Sequence, residues 1–436
     1  METNCTLIFD IGKTNQKYFV FDENQKVLDK GQTNIPTILD EDGHPSEDIR
    51  EIVHWMKTNF ERLLNSDFFE IKNANISGHG ATFVHLDYEG EFVTPVYDYH
   101  KPIEENTFDS FYQKYGPEAK FSTQTGSKNV EMLNSGKQIY WLKTKRPELF
   151  KKVKHSLHLP QYLSYAFTGK MFSEYSSIGC HTDLWDFEKQ QYHRWVLEEG
   201  IIDLLPPIAR PNETVSIDFA GKKINFGVGI HDSSAALLPY LIKSTTPFLL
   251  ISTGTWCITF NPFASDSVFD ETEIINGVIA YMKIDGSIVK TSRLFLGQEH
   301  KIQVSKLIYQ FEKPKFYHRN LEFNNQIFNT IKEKGKHHFR WEYLDTKNCP
   351  EREDLNFNSF EEAYHQLMIE LLSLLEEKIL ILYDVPPKKI FVDGGFSNND
   401  VFLKLLKIKF PNQIIESKPE AYGSSLGAAI VMGSVS

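Results

Sequence analysis

Leu7–Phe21 reads LIFDIGKTNQKYFVF, and Leu249–Phe260 reads LLISTGTWCITF. Each is an apolar run, a small polar turn carrying glycine and threonine, and a second apolar run. That is the pattern of two strands joined by a tight turn. One copy in each half predicts two similar α/β units, as internal repetition does generally. The 436 residues agree, because a single core stops growing near ~250–300 residues. The pattern resets after Pro206-Pro207 and Pro211, which places the division at 1–226 and 227–436.

Working outward from the first copy, Thr6–Asp10, Lys17–Asp22 and Lys26–Asp29 read as three strands. A helix follows, with Ser46 as its cap, Glu47 and Asp48 in its first turn, and one apolar stripe (Ile49, Ile52, Val53, Met56, Phe60, Leu63, Leu64). Residues 100–215 read as mostly helical. Around the second copy, Asn225–Ile230 is a strand ending at His231-Asp232, and Phe248–Ser252 and Cys257–Phe260 flank Thr253-Gly254-Thr255-Trp256. Ser359 and Glu362 have capping-box spacing for a helix over 360–383. Lys389–Val392 is a strand, 393–395 a turn and Asn398–Ile408 a helix. The small residues at 423–429 open a closely packed last helix.

Composition narrows the function. Hydrophobic residues are 41% and charged residues 24%, an ordinary globular balance. Net charge is −11 and no basic run stands out, which argues against nucleic acid as a partner. Cys5, Cys180, Cys257 and Cys349 form no CxxC and no zinc spacing, so they are expected to be buried reduced thiols. METNCTLIFDIG lacks the form of a signal peptide and no apolar run approaches the ~20 residues of a membrane span. A soluble cytoplasmic protein is expected. The sequence leaves a homodimer open.

Four segments could carry chemistry. In 10–17, a strand delivers Asp10 to a turn where Gly12 allows close backbone approach. Thr14, Lys13 and Lys17 could meet phosphate oxygens, and Asp10 could hold a hydrated Mg²⁺. Ser252–Thr255 offers hydroxyls on a flexible turn for a second phosphate contact. Asp232, at a strand end after His231, suits either a general base toward an alcohol or the N-cap of a helix over 233–238. In 393–399, paired glycines after a strand would let a planar ligand lie on bare backbone. Each segment also reads as a plain turn, and neither GxGxxG nor GxxxxGK[ST] is present.

Together, in this order, they resemble one family. DIGKTN at 10–15, GHG at 78–80, TG at 168–169, GIHD at 229–232, STGTW at 252–256, DGGFSNN at 393–399 and AYGSSLGAA at 421–429 resemble the FGGY carbohydrate kinases along nearly the whole chain. GTW and HDSSAA at 231–236 are similar to rhamnulokinase- and fuculokinase-like members. The resemblance implies two ribonuclease H-like domains, of the actin and chaperone ATPase type, around a cleft. ATP–Mg²⁺ would bind mainly to the second domain and a small-molecule sugar mainly to the first. Asp232 matches the general base and Asp10 the metal-associated acid. Gly12, Thr14 and Lys17 match the first phosphate loop, and Thr253, Gly254 and Thr255 the second. Gly394, Gly395 and Asn398 match the adenosine-side motif. His79, Thr82, Tyr97 and Asp98 stand where the sugar pocket is shaped. The implied reaction is phosphorylation of a ketose or deoxyketose such as L-rhamnulose or L-fuculose, with a polyol, glycerol or xylulose as alternatives. Lys13 departs from the family, which often has threonine there, and 294–299 fits only loosely, leaving the adenine contacts open. The rival reading is an ATP-gated or sugar-sensing protein of the same fold without turnover.

Overall fold

The computed structural model describes residues 3–210, 212–219, 221–264, 269–334, 337–344, 357–417 and 422–433. Cys349, Pro211 and Ala421 lie outside the described residues.

Two sheets carry the molecule. The first is seven-stranded and runs Thr214–Phe219, Lys222–Gly227, Phe69–Gly78, Thr3–Ile11, Gln16–Asp22, Val27–Thr33, with Ile230–His231 also paired to Phe69–Gly78. The second runs Val278–Met282, Ile288–Leu294, Cys257–Asn261, Phe248–Thr253, Lys389–Gly394, Ile414–Ser417. In each, antiparallel strands, three in the first sheet and four in the second, lead to a parallel neighbour reached through a helical crossover: Thr3–Ile11 beside Phe69–Gly78, and Phe248–Thr253 beside Lys389–Gly394. The duplicated plan expected from the two turn sequences is therefore the layout of both sheets.

Apolar faces decide which helices cover them. Ile49–Leu64 and Leu159–Thr168 bury their stripes on one face of the first sheet, against Leu7, Phe9, Ile71 and Ile76. The opposite face, with Ile8, Phe19 and Phe21, is covered by Asp232–Lys243 and Gly423–Gly433. The last helix of the chain thus crosses back to the first sheet. Gly427 permits this, since a Cβ there would sit 1.8 Å from the Ala235 carbonyl oxygen. Phe360–Leu380 and Asp400–Lys409 pack on the second sheet. The aromatic-rich segment after residue 100 has its own core (Phe111, Phe121, Trp141, Trp195), which reaches Val278 and Met282 of the second sheet.

Several local expectations are corrected. Ser46 does not cap the helix at 49; it lies in the short strand Pro45–Glu47, and its hydroxyl donates to the Val96 carbonyl at 2.9 Å. Asp48 is the cap, accepting from the Glu51 amide. Glu47 precedes the helix and is buried. The single strand expected over 225–230 is two, because Gly229 turns the chain at φ +82° against Pro160. The helix expected from Asn398 begins at Asp400, after a 3₁₀ turn over Gly395–Asn398, with Asn399 as its cap. Ser359 does cap Phe360–Leu380, through the Glu362 amide.

Candidate active site

Register brings the first half's chemistry to one edge. Ile11 and His231 both pair with Gly78, on either side of the strand Phe69–Gly78. All three strands run parallel, so the residues just beyond their carboxyl ends, Gly12, His79 and Asp232, emerge side by side. The carboxyl ends of parallel strands are where open α/β sheets place ligands. The second sheet does the same: Ser252 pairs with Asp393 and Thr253 with Gly394. Between the two edges lies a cavity of about 440 Å³ lined by Asp232, Ser233, Ser252, Asp393, Gly394 and Ser424.

Asp10 and Asp232 are the acids at the first edge. Asp10 accepts from the Ser424 and Ser425 hydroxyls at 3.0 and 3.1 Å, so the last helix holds it in place. Burial, and then the charge of Asp232, raises its pKa. Asp232 is not the helix N-cap; His231 occupies that position, and Asp232 is the first helical residue. Burial also raises the Asp232 pKa, against the pull of His79. A carboxylate with raised proton affinity at a cavity wall suits proton acceptance from an alcohol. His231 is buried against Cys180, whose sulfur is 3.3 Å from its Nε2, and burial pushes its pKa down to about 3. It is a neutral packed histidine whose backbone amide donates to Ser176 Oγ.

A charged group lies beside these acids. Lys13 Nζ is 2.8 Å from Glu47 Oε1 and 2.9 Å from Asp98 Oδ2, and 5.0 Å from the Tyr99 ring centre. His79 Nε2 is 2.9 Å from the same Glu47 oxygen, an ionic contact whose geometry falls short of a hydrogen bond. Burial opposes the charge on Lys13 and on His79, yet the carboxylates hold both pKa values up. Burial likewise opposes Glu47's charge, and His79 and Lys13 outweigh it, leaving Glu47 at about 2.

The remaining expected residues divide. Gly12 and Asn15 close the first turn through Gly12 N–H to Asn15 C=O at 3.1 Å, with Thr14 exposed and Lys17 close enough to draw the Asp10 pKa down. Gly254, Thr255, Gly394, Gly395 and Asn398 are exposed at the second edge. Thr253 is buried. Its hydroxyl donates to the Asp393 carbonyl and accepts from the Phe396 amide at 2.9 Å, so it shapes the Gly394 turn rather than facing solvent. Tyr97 is not brought to the site. Its ring packs edge-on to Trp141 and its hydroxyl donates to Glu41. Alternation along the strand explains this, because Asp98 and Tyr97 must face opposite ways. Thr82 is buried with its hydroxyl unpartnered among the described residues.

Sequence reasoning missed Glu47, Tyr99, Ser424, Ser425 and Arg293. Glu47 looked like a helix first-turn acid, and only its strand pairing with Val96 aims it at Lys13. Arg293 stacks over Trp256 at 5.4 Å and lies within electrostatic reach of Cys180 and Tyr281. Trp256 in turn meets Phe295 at 4.5 Å, an aromatic group at the rim of the second edge. No signal short of the strand pairing Ile258 with Arg293 would have assembled it.

Comparison with known proteins agrees with this layout. The signature of the FGGY family of carbohydrate kinases, N-terminal domain, matches residues 5–230, more than half of the chain. A rhamnulokinase of Halalkalibacterium halodurans is 23% identical over 58% of this chain and 56% of its own length. The chain spans about half the length of the curated relatives it matches. The crystal structure of a carbohydrate kinase from Novosphingobium aromaticivorans superposes with a TM-score of 0.81 at 21% identity, over 99% of this chain and 92% of that one. A ligand-bound xylulose kinase from Lactobacillus acidophilus gives 0.75 at 15% identity, over 98% and 89%. Among the described residues, no helix is long and apolar enough to cross a membrane.

Proposed function

Since the chain belongs to the FGGY family of carbohydrate kinases, we propose that it transfers the γ-phosphoryl group of ATP to a hydroxyl of a neutral sugar, with Asp232 as general base. The observation that carries this is the position of Asp232: a half-buried carboxylate, its side chain 29% exposed, of raised pKa on the wall of a cavity also lined by Asp393 and Gly394. The first half would hold the sugar, near His79, Asp98 and Lys13, and the second half the nucleotide, along the exposed backbone at Gly254, Gly394 and Gly395.

In this reading Asp232 takes the proton of one sugar hydroxyl as its oxygen attacks in line. Such positioned base help is typically worth ~10²–10⁴-fold. Backbone N–H groups of the first turn and Lys17 would stabilise charge on the transferring group. Among the described residues no three or more His, Cys, Asp or Glu side chains gather into a metal cage. A Mg²⁺ that keeps most of its water needs only one or two carboxylates. Asp10 fits, because burial and then the Asp232 charge raise its pKa, and a cation there would offset both. When bound, Mg²⁺ would neutralise phosphate charge. The similarity to rhamnulokinases supports a ketose or deoxyketose such as L-rhamnulose or L-fuculose as the acceptor.

The test is ADP release from Mg–ATP against ketoses, deoxyketoses and polyols, with wild type beside Asp232→Asn. Release that requires one sugar and drops at least 100-fold in the variant, with Mg–ADP binding retained, is the expected outcome. A variant with near-normal kcat removes Asp232 from the role. No sugar-dependent release across the panel rejects the kinase reading in favour of a binding protein.

A further inference from the structure

The sequence puts Lys13 inside the first phosphate turn, two residues after the strand Thr3–Ile11 ends. A free ammonium there would meet a phosphate. The structure directs it elsewhere. Nζ lies between Glu47 Oε1 at 2.8 Å and Asp98 Oδ2 at 2.9 Å, over the Tyr99 ring. The two carboxylates are adjacent because the strands Pro45–Glu47 and Val96–Tyr97 pair, Ser46 opposite Tyr97. Their side chains are 8% and 9% exposed, and that of Lys13 is 23% exposed. Buried carboxylates without a cation are strongly unfavourable, so Lys13 is held on them and away from the phosphate position.

Two further facts connect this group to the reaction centre. His79 reaches the same Glu47 oxygen and acts electrostatically on Asp232. Its neighbour Gly80 lies against the His231 ring, where a Cβ would be 2.9 Å from Nε2. Lys13, Glu47 and His79 are thereby linked electrostatically to the base. Lys13 and His79 face the Glu47 and Asp98 carboxylates, and the His100 ring also meets Asp98, at 3.0 Å from Oδ1. Both contacts to Glu47 fall on Oε1, which leaves Oε2 as an acceptor. A carboxylate accepts hydroxyl hydrogen bonds readily and offers nothing to another anion.

We propose that Lys13 is a specificity-determining residue of the acceptor pocket and not a phosphate ligand: by fixing Glu47 and Asp98 beside Asp232, it selects a neutral polyhydroxylated acceptor and rejects sugar acids. This rests on the kinase reading for the identity of the acceptor, while the claim that Lys13 stands off the nucleotide is independent of it. A sugar carboxylate would meet Glu47 and Asp98 with no uncommitted cation. A vicinal diol meets two oriented acceptors. Charge-assisted hydrogen bonds of this kind set losses of ~10- to 100-fold when one partner is removed.

The experiment compares wild type, Lys13→Met, Glu47→Gln and the double variant Lys13→Met/Glu47→Gln, which removes the unpaired charge and guards against misfolding. Mg–ADP affinity is measured by calorimetry, and KM for sugar and for ATP by ADP release, with D-gluconate and other aldonates beside ketoses of equal length. Both single variants should raise sugar KM ~10- to 100-fold, with Mg–ADP affinity and ATP KM within about twofold of wild type, and aldonates should be inactive with wild type. Mg–ADP affinity that falls tenfold or more in Lys13→Met while sugar KM holds overturns the proposal. So does efficient phosphorylation of an aldonate by wild type, although that result leaves the kinase reading intact. If no sugar turns over, the kinase reading fails and the calorimetry alone decides the placement of Lys13. A wild type that binds no nucleotide rejects both.

Discussion

The two turns that repeat in the sequence, Gly12–Asn15 and Thr253–Trp256, sit at matching places in matching sheets but do different work. At the first, polar and charged side chains dominate. Lys13, Glu47, His79 and Asp98 are held on one another, and Asp10 is held by Ser424 and Ser425. At the second, side-chain polarity turns inward. The Thr253 hydroxyl is tied to the Asp393 carbonyl and the Phe396 amide, and what remains exposed is glycine backbone at 254, 394 and 395. One fold unit can thus present a cluster of charged side chains at one edge and exposed backbone at the other. The difference is where the polar side chains point, not how the strands run.

This contrast can be broken from either side. The largest effect should come from Asp232→Asn, which leaves both turns intact and should lower kcat ~10²- to 10⁴-fold with Mg–ADP binding unchanged; steady-state kinetics beside calorimetry reads it. Next is Gly394→Ala. Gly394 holds φ +81° and ψ −151°, and an added Cβ would sit 2.0 Å from the Thr253 carbonyl oxygen. That conformation is essentially restricted to glycine. We expect Mg–ADP affinity to fall tenfold or more, measured by calorimetry, while the first turn and its charged group stay as they are. Thr253→Val should follow, destabilising the protein by ~1–3 kcal/mol by leaving a buried amide unpaired, read as a lower urea midpoint.

The smallest effect is a pH effect on the first turn alone. Glu47 titrates at about 2 in the folded protein against an ordinary 4.5. Its own ionisation therefore contributes stability that is fully present above pH 4.5 and is lost as pH falls through about 2. The stability difference between wild type and Glu47→Gln should widen from pH 7 to 5, because the His79 charge that Glu47 favours contributes most below the ordinary histidine pKa of 6.5, and should shrink below pH 4.5 as Glu47 is protonated, as followed by thermal melting across pH. A difference that keeps widening below pH 4.5 would mean that Glu47 is not held as a carboxylate by Lys13 and His79.

Local reading went far in the strands and the long helices. Short apolar runs bounded by polar turns marked the strands around Asp10 and Thr253, and Ser359 marked the start of Phe360–Leu380. It failed where a residue's role depends on a partner distant in the chain. Ser46 and Glu47 satisfy the rules for a helix start, and a three-residue strand pairing with Val96 overrode them. The family resemblance groups Tyr97 with Asp98, yet the strand sends them to opposite faces.

The sequence alone therefore determined the α/β plan, the turn positions and the places of Asp10 and Asp232 near strand ends, because backbone propensity and apolar runs are local properties, while His79 entered through the family resemblance. Only the tertiary structure decided that Ser424 and Ser425 hold Asp10 from more than 400 positions away, and that Lys13 faces Glu47 and Asp98. The reason is physical. A buried charge goes where it can be neutralised, and the strand pairing that brings its partners there is a property of the whole fold.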